Sequence, residues 1–211
     1  MPDMKPLIEI ATAIGTVAVA IMAIWGEKVR AWLSPPKLKI EIHTPRGSPT
    51  RHTLAGAIDP SGGVRTMYYY LRVVNLRPWL TAQNCRVLLK AVSRRRPDGS
   101  FLQVHMPVPA QLIWSNEGDT PQRVVVTRTA VLDFGYLSEG AQSFLPLLYV
   151  YANNANFAVA KGEAVRYQVE IDASNLPLRH AQTFEVSWDG EWDFEPEKMQ
   201  HHLVVREVAE P

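Results

Sequence analysis

The side chains best equipped for chemistry gather towards the C-terminal end of the chain. Asp189, Glu191, Asp193, Glu195 and Glu197 recur at every second position, with Trp188, Trp192 and Phe194 taking alternate places. In an extended segment this spacing sets five carboxylates on one face. Such a set of hard oxygen ligands suits calcium, but an EF-hand loop needs glycine at its sixth place, where Phe194 stands if Asp189 is first. The pattern therefore favours an acidic docking face for a basic partner over a metal site. His201 and His202 are adjacent, and in a strand they would point to opposite faces, which is poor geometry for one ion.

Other motifs fall short in the same way. Asp133-Phe134-Gly135 is the tripeptide that holds magnesium in protein kinases, yet the glycine-rich loop and catalytic loop that accompany it are missing, so it is expected to be a turn. No GxSxG elbow, phosphate loop, HExxH or CxxC pair occurs. No catalytic residue, cofactor or metal is assigned on this basis. An enzyme would need a dispersed site gathering groups such as Asp133, His180 and an acid from the 189–197 run.

Charge is distributed unevenly. Residues 26–106 carry 14 basic and 4 acidic side chains, a balance of +10, while residues 107–211 carry 7 and 15, a balance of −8. Arg94, Arg95 and Arg96 sit beside the turn sequence Pro97-Asp98-Gly99, in the same half as Arg46, Arg51, Arg65, Arg72, Arg77 and Arg86. They read as a solvated face or as contacts to an anionic membrane surface, where a basic residue is worth about 1 kcal/mol. Nucleic acid would require aromatic side chains on the same surface, and strand alternation sends most of Trp79 and Tyr68 to Tyr70 to the core, so nucleic acid is not the expected partner.

These groups must be positioned by the elements around them. From Leu7 to Trp25 the chain has nineteen residues with a single ionisable group, Glu9. As a helix this segment is about 28 Å long, close to the roughly 30 Å of a hydrocarbon core. Residues 1–33 are accordingly expected to form a single-pass transmembrane anchor with an interfacial turn, in which Trp25, Lys28, Arg30 and Trp32 meet the membrane surface. Ala11 and Gly15, four apart, offer a face for pairing with a second helix and hence for a homo-oligomer. One lysine precedes the segment and Lys28, Arg30, Lys37 and Lys39 follow it, which implies that the C-terminal domain faces the cytoplasm; on overall composition the membrane is expected to be the bacterial inner membrane. A cleaved signal, leaving the domain in the periplasm, is the alternative, although the apolar run continues past Ala18-Val19-Ala20.

Residues 34–36 form a proline-containing linker, and residues 37–211 are expected to be one β domain. Period-two alternation appears over 37–43, 66–75, 84–93, 111–115, 124–132, 143–152, 164–173, 183–188 and 203–208. Residues 44–65 lack periodicity and read as a flexible insertion or functional loop. About nine short strands separated by turn residues imply an antiparallel sandwich, since each one-sided sheet needs another layer over its apolar face. The single cysteine, Cys85, excludes an internal disulfide framework.

The stretch Tyr68 to Val92, YYYLRVVNLRPWLTAQNCRVLLKAV, resembles the strand-turn-strand signature of bacterial immunoglobulin-like sandwiches. A strand ends at Asn75, a short loop carries Ala82, and alternation resumes with Cys85, Val87 and Leu89. Arg77-Pro78-Trp79 stands where many such domains have a glycine-containing turn. The resemblance implies a mainly β, immunoglobulin-like sandwich, here preceded by the N-terminal transmembrane helix, and a role in binding. The expected protein is thus a membrane-anchored binding or adaptor module whose partners are the lipid bilayer and another protein. An exported binding or assembly module and an enzyme with a dispersed site are the alternatives.

Overall fold

Alternation decides which side of each strand is buried. Over Ala164–Asp172 the side chains of Val165, Tyr167, Val169 and Ile171 lie inside while Arg166, Gln168 and Glu170 face outwards. The structure is a computed structural model that describes residues 12–20, 26, 35–52, 63–115, 122–151, 156–177 and 181–208.

Two antiparallel sheets carry the described strands. The first runs β1 (Leu38–Ile42), β3 (Val64–Asn75), β9 (Thr129–Ser138), β10 (Ser143–Pro146), β11 (Val159–Ala160), with β2 (Ser48–His52) also on β3 and β7 (Ile113–Trp114) also on β9. The second runs β14 (Leu203–Val208), β13 (Ala181–Trp188), β12 (Ala164–Asp172), β4 (Ala82–Arg95), β5 (Phe101–Val104), with β6 (Ala110–Gln111) and β8 (Val124–Val126) on β4. Between the sheets Phe134 meets Tyr167 at 5.6 Å and Phe184 at 6.2 Å, ring centre to ring centre. Edge-to-face contacts of this kind add roughly 0.5–1.5 kcal/mol beyond the apolar area they bury. Trp114, Leu71, Leu89 and Val186 complete the same buried layer.

The connection from β3 to β4 carries the chain from one sheet to the other. Asn75, buried at its start, donates through its side-chain amide to the carbonyl of Leu80 at 2.7 Å and accepts from the Arg77 backbone N–H at 3.0 Å. Its amide thus satisfies backbone groups of the tight loop that leaves β3.

Several expectations are corrected. Among the described residues no helix is long and apolar enough to cross a membrane. Residues 12–20 are helical. The single-pass anchor is therefore not supported, and neither are the placements that depended on it: the membrane-anchored form of the immunoglobulin-like resemblance, the lipid bilayer as partner, inner-membrane location with a cytoplasmic domain, and a homo-oligomer through Ala11 and Gly15. Gly15 lies in that helix; Ala11, Trp25, Lys28, Arg30 and Trp32 lie outside the described residues.

Asp133-Phe134-Gly135 is no turn. It lies within β9 at a bulge, where Tyr69 pairs with Gly135 and Tyr70 with Asp133. The extra residue turns both Phe134 and Gly135 inwards. Gly135 is required there, because a Cβ would lie 2.5 Å from the Leu145 carbonyl and inside the Phe144 ring. The supposed loop over 44–65 contains β2, whose pairing with β3 continues the edge that β1 leaves. The run 124–132 is two strands in different sheets, and Pro196–His202 is a short helix where an extended acidic segment was expected.

Candidate binding face

Three consecutive tyrosines on β3 are divided by the strand's alternation. Tyr69 points into the core with 1% of its surface exposed, while Tyr68 and Tyr70 stand half-buried on the outer face of the first sheet. Tyr136 of β9 lies directly across from Tyr68, and their rings stack at 5.5 Å; Tyr68 and Tyr70 stack at 6.2 Å. The result is a continuous row of phenol rings on a sheet face.

The β9 bulge places Asp133 on the same face, opposite Tyr70 on one side and Ile113 of β7 on the other. Burial pushes its carboxyl above the ordinary aspartate value, against a hydrogen bond from the Ser115 side chain that lowers it. Among the described residues no lysine or arginine pairs with it. Burial likewise raises the Tyr70 phenol, and the Asp133 charge raises it further. For Tyr68, burial acts first, followed by Tyr136, Tyr70 and Asp133. Tyr151, at the rim, donates its hydroxyl to the Pro146 carbonyl at 2.7 Å. The face thus combines amphipathic aromatic surface with a half-buried carboxylate that no described cation pairs. That combination suits a cationic group, which rings attract through their quadrupole and the carboxylate through its charge.

The carboxylates of the 189–197 run each have a polar partner. Asp189 meets His202 at 2.9 Å, Glu191 meets Lys161 at 3.7 Å, Glu195 meets Lys198 at 3.0 Å and Glu197 meets Arg46 at 3.5 Å. The Asp193 carboxylate accepts the Glu195 backbone N–H at 2.8 Å. Between them Trp192 and Phe194 stack, and the Arg65 guanidinium lies 5.3 Å and 5.7 Å from their ring centres. Among the described residues no group of three or more His, Cys, Asp or Glu side chains is placed to hold a metal ion. His180 lies outside the described residues, so the dispersed catalytic group of Asp133, His180 and a C-terminal acid is not assembled in view.

Part of the basic half is matched by the acidic half. Arg86 meets Asp172 at 2.7 Å, Lys90 meets Glu170 at 3.9 Å, Arg94 meets Glu163 at 2.5 Å, and Arg65 meets Glu139. Strand pairing thus brings some of the opposite charges of the two halves together, and each exposed pair adds at most about 1 kcal/mol. Arg94 also donates to the Ala158 carbonyl at 2.6 Å, whereas Arg95 and Arg96 are exposed at the end of the β4–β5 hairpin, beside a cavity of about 470 Å³.

Sequence reasoning missed the tyrosine face because it treated residues 68–70 as mostly core. The alternation of β3 itself held the signal, since one inward tyrosine requires two outward ones. The position of Asp133 had no such signal, because it depends on a bulge.

Fold and face together define a two-sheet β domain bearing a row of tyrosines beside Asp133 on one outer face. Compared with known proteins, no protein-family model matches this chain, and no curated protein matches it either.

Proposed function

We propose that this chain is an immunoglobulin-like binding or assembly module that docks a protein partner through the tyrosine face of its first sheet, with an arginine or lysine of the partner received at Asp133. The observation that carries this reading is the stacked row of Tyr68, Tyr70 and Tyr136 around a half-buried carboxylate that no described cation neutralises. Tyrosine supplies large, rigid contact area at low entropic cost, which is why it anchors protein interfaces. The strand order supports the immunoglobulin-like description: β1, β3, β9 and β7 adjoin in one sheet and β4, β12 and β13 in the other, the arrangement of that sandwich, with β14 added at an edge.

The test is to pan a random peptide library against the domain and to measure the selected peptides against variants. The reading expects arginine or lysine to be enriched. Asp133→Asn should weaken binding about tenfold, equivalent to about 1.4 kcal/mol, with a similar loss for Tyr70→Ala. Selected peptides lacking basic residues, or bound equally by parent and Asp133→Asn, would overturn it.

A further inference from the structure

A second surface, independent of the tyrosine face, lies along the open edge of β1. Lys37 accepts a hydrogen bond from the Leu76 N–H and His43 donates one to the Tyr70 carbonyl, so the odd-numbered residues of this segment face β3. Leu38, Ile40 and Ile42 therefore turn their N–H and C=O groups away from the sheet. At Ile40 both groups are occupied by one side chain from the second sheet: its N–H donates to Gln182 Oε1 at 2.6 Å, and Gln182 Nε2 donates to its carbonyl at 2.8 Å. Leu38 has no such clamp. Among the described residues its backbone N–H and C=O have no partner.

A groove of about 620 Å³ opens beside Leu38, floored by Leu38, Leu76, Ile171, Leu176 and Pro177. Its volume falls in the range of clefts that bury ligands, roughly 300–1,000 Å³. The charges that line it are all positive: Lys37, Lys39 and Arg77, with no carboxylate among the lining residues. Lys39 spends part of its charge on Glu41 at 3.6 Å, and Arg77 donates to the Pro35 carbonyl at 3.1 Å, while Lys37 is exposed and without a described ion-pair partner.

We infer that this edge receives an extended partner segment alternating apolar and acidic residues, which adds as a short strand along Leu38. An unpaired edge supplies backbone hydrogen bonds, the groove takes every second side chain, and the cationic rim selects acidic ones. Gln182 limits the addition, because its side chain already fills the next place along the edge. Among the described residues the edge is thus unoccupied at Leu38 and occupied by Gln182 at Ile40.

The probe is a blocked peptide alternating glutamate and valine, set against its lysine-valine counterpart, with binding followed by amide hydrogen exchange and NMR shifts of the whole chain. The glutamate peptide should slow exchange of the Leu38 amide and shift Leu76 and Ile171. Replacing Lys37 and Lys39 together by glutamate should weaken it about tenfold and improve binding of the lysine peptide. Tyr70→Ala should leave both unchanged, so failure here is separable from failure at the tyrosine face. Equal binding of the two peptides, or shifts in Leu76 without protection of the Leu38 amide, would overturn the strand-addition reading.

Discussion

Replacing Gln182 tests how the two sheets are held at their common edge. Its side-chain amide makes both hydrogen bonds to the Ile40 backbone, at 2.6 and 2.8 Å, and a third to Glu207 Oε1 at 2.9 Å. Each such bond contributes about 1 kcal/mol net, so Gln182→Ala should cost about 2 kcal/mol, counting the two bonds to Ile40. For a domain of this size that lowers the melting temperature by about 4–8 °C. Gln182→Glu is more informative. The new carboxylate can still accept from the Ile40 N–H, but it faces the Ile40 carbonyl and the Glu207 carboxylate with no proton to donate. At neutral pH it should therefore destabilise more than alanine does. Those neighbours raise the pKa of the new carboxyl in the folded state, so its protonated form favours folding. The deficit should shrink as pH falls towards the ordinary glutamate value of about 4.3 and grow as pH rises through the raised folded value. Thermal unfolding followed by circular dichroism across pH 4–7 (about that range is ample for a carboxyl) reads both effects. A Gln182→Ala variant that melts with the parent, or a Gln182→Glu deficit indifferent to pH, would refute the clamp.

Three further outcomes follow from buried polar groups. Glu185 is 3% exposed between Arg166, at 2.8 Å, and Arg206; burial alone would raise its carboxyl, but the two guanidiniums outweigh it and hold the group below the usual range. Its contribution is present above about pH 4.3 and lost as pH falls through the lowered folded value, so Glu185→Gln should cost about 2 kcal/mol by urea unfolding at neutral pH and little in acid; the cost is held down by the partial exposure of both arginines. The Tyr69 and Tyr167 hydroxyls are both buried, but Tyr167 donates to the Phe157 carbonyl at 2.5 Å while Tyr69 has no described partner. Tyr167→Phe should thus lose about 1–3 kcal/mol and Tyr69→Phe nothing, or gain slightly, when both are compared by chemical denaturation. Asp133, whose folded value is raised, contributes stability below the unfolded value of about 3.9 that is lost as pH rises; Asp133→Asn should therefore melt higher than the parent at pH 7 (about three pH units above that value) and match it in acid.

The sandwich was legible because its strands are half-buried, and one-sided burial writes itself into sequence as alternation. Ala164–Asp172 and Leu38–Ile42 fall within their expected spans for this reason. Alternation does not record which sheet a strand joins, so the change of sheet between Val126 and Thr129 was invisible. The bulge in β9 was hidden too, since it is fixed by packing of Phe134 and Gly135 against another strand. Alternate spacing in the acidic run was read as one extended segment, whereas Pro196 starts a helix and Asp189, Glu191, Glu195 and Glu197 each meet a separate basic side chain. Apolarity at the N-terminus reported composition, whereas among the described residues no helix is long and apolar enough to cross a membrane.

The tyrosine face is tested most directly by the Asp133 carboxyl itself, followed by NMR while a selected arginine-containing peptide is added. An arginine seated beside it should bring the carboxyl back down towards the ordinary aspartate value, with simultaneous shifts of the Tyr68, Tyr70 and Tyr136 rings. Saturating peptide that leaves the carboxyl titration unmoved and perturbs other surfaces instead would contradict the assignment of this face to partner docking.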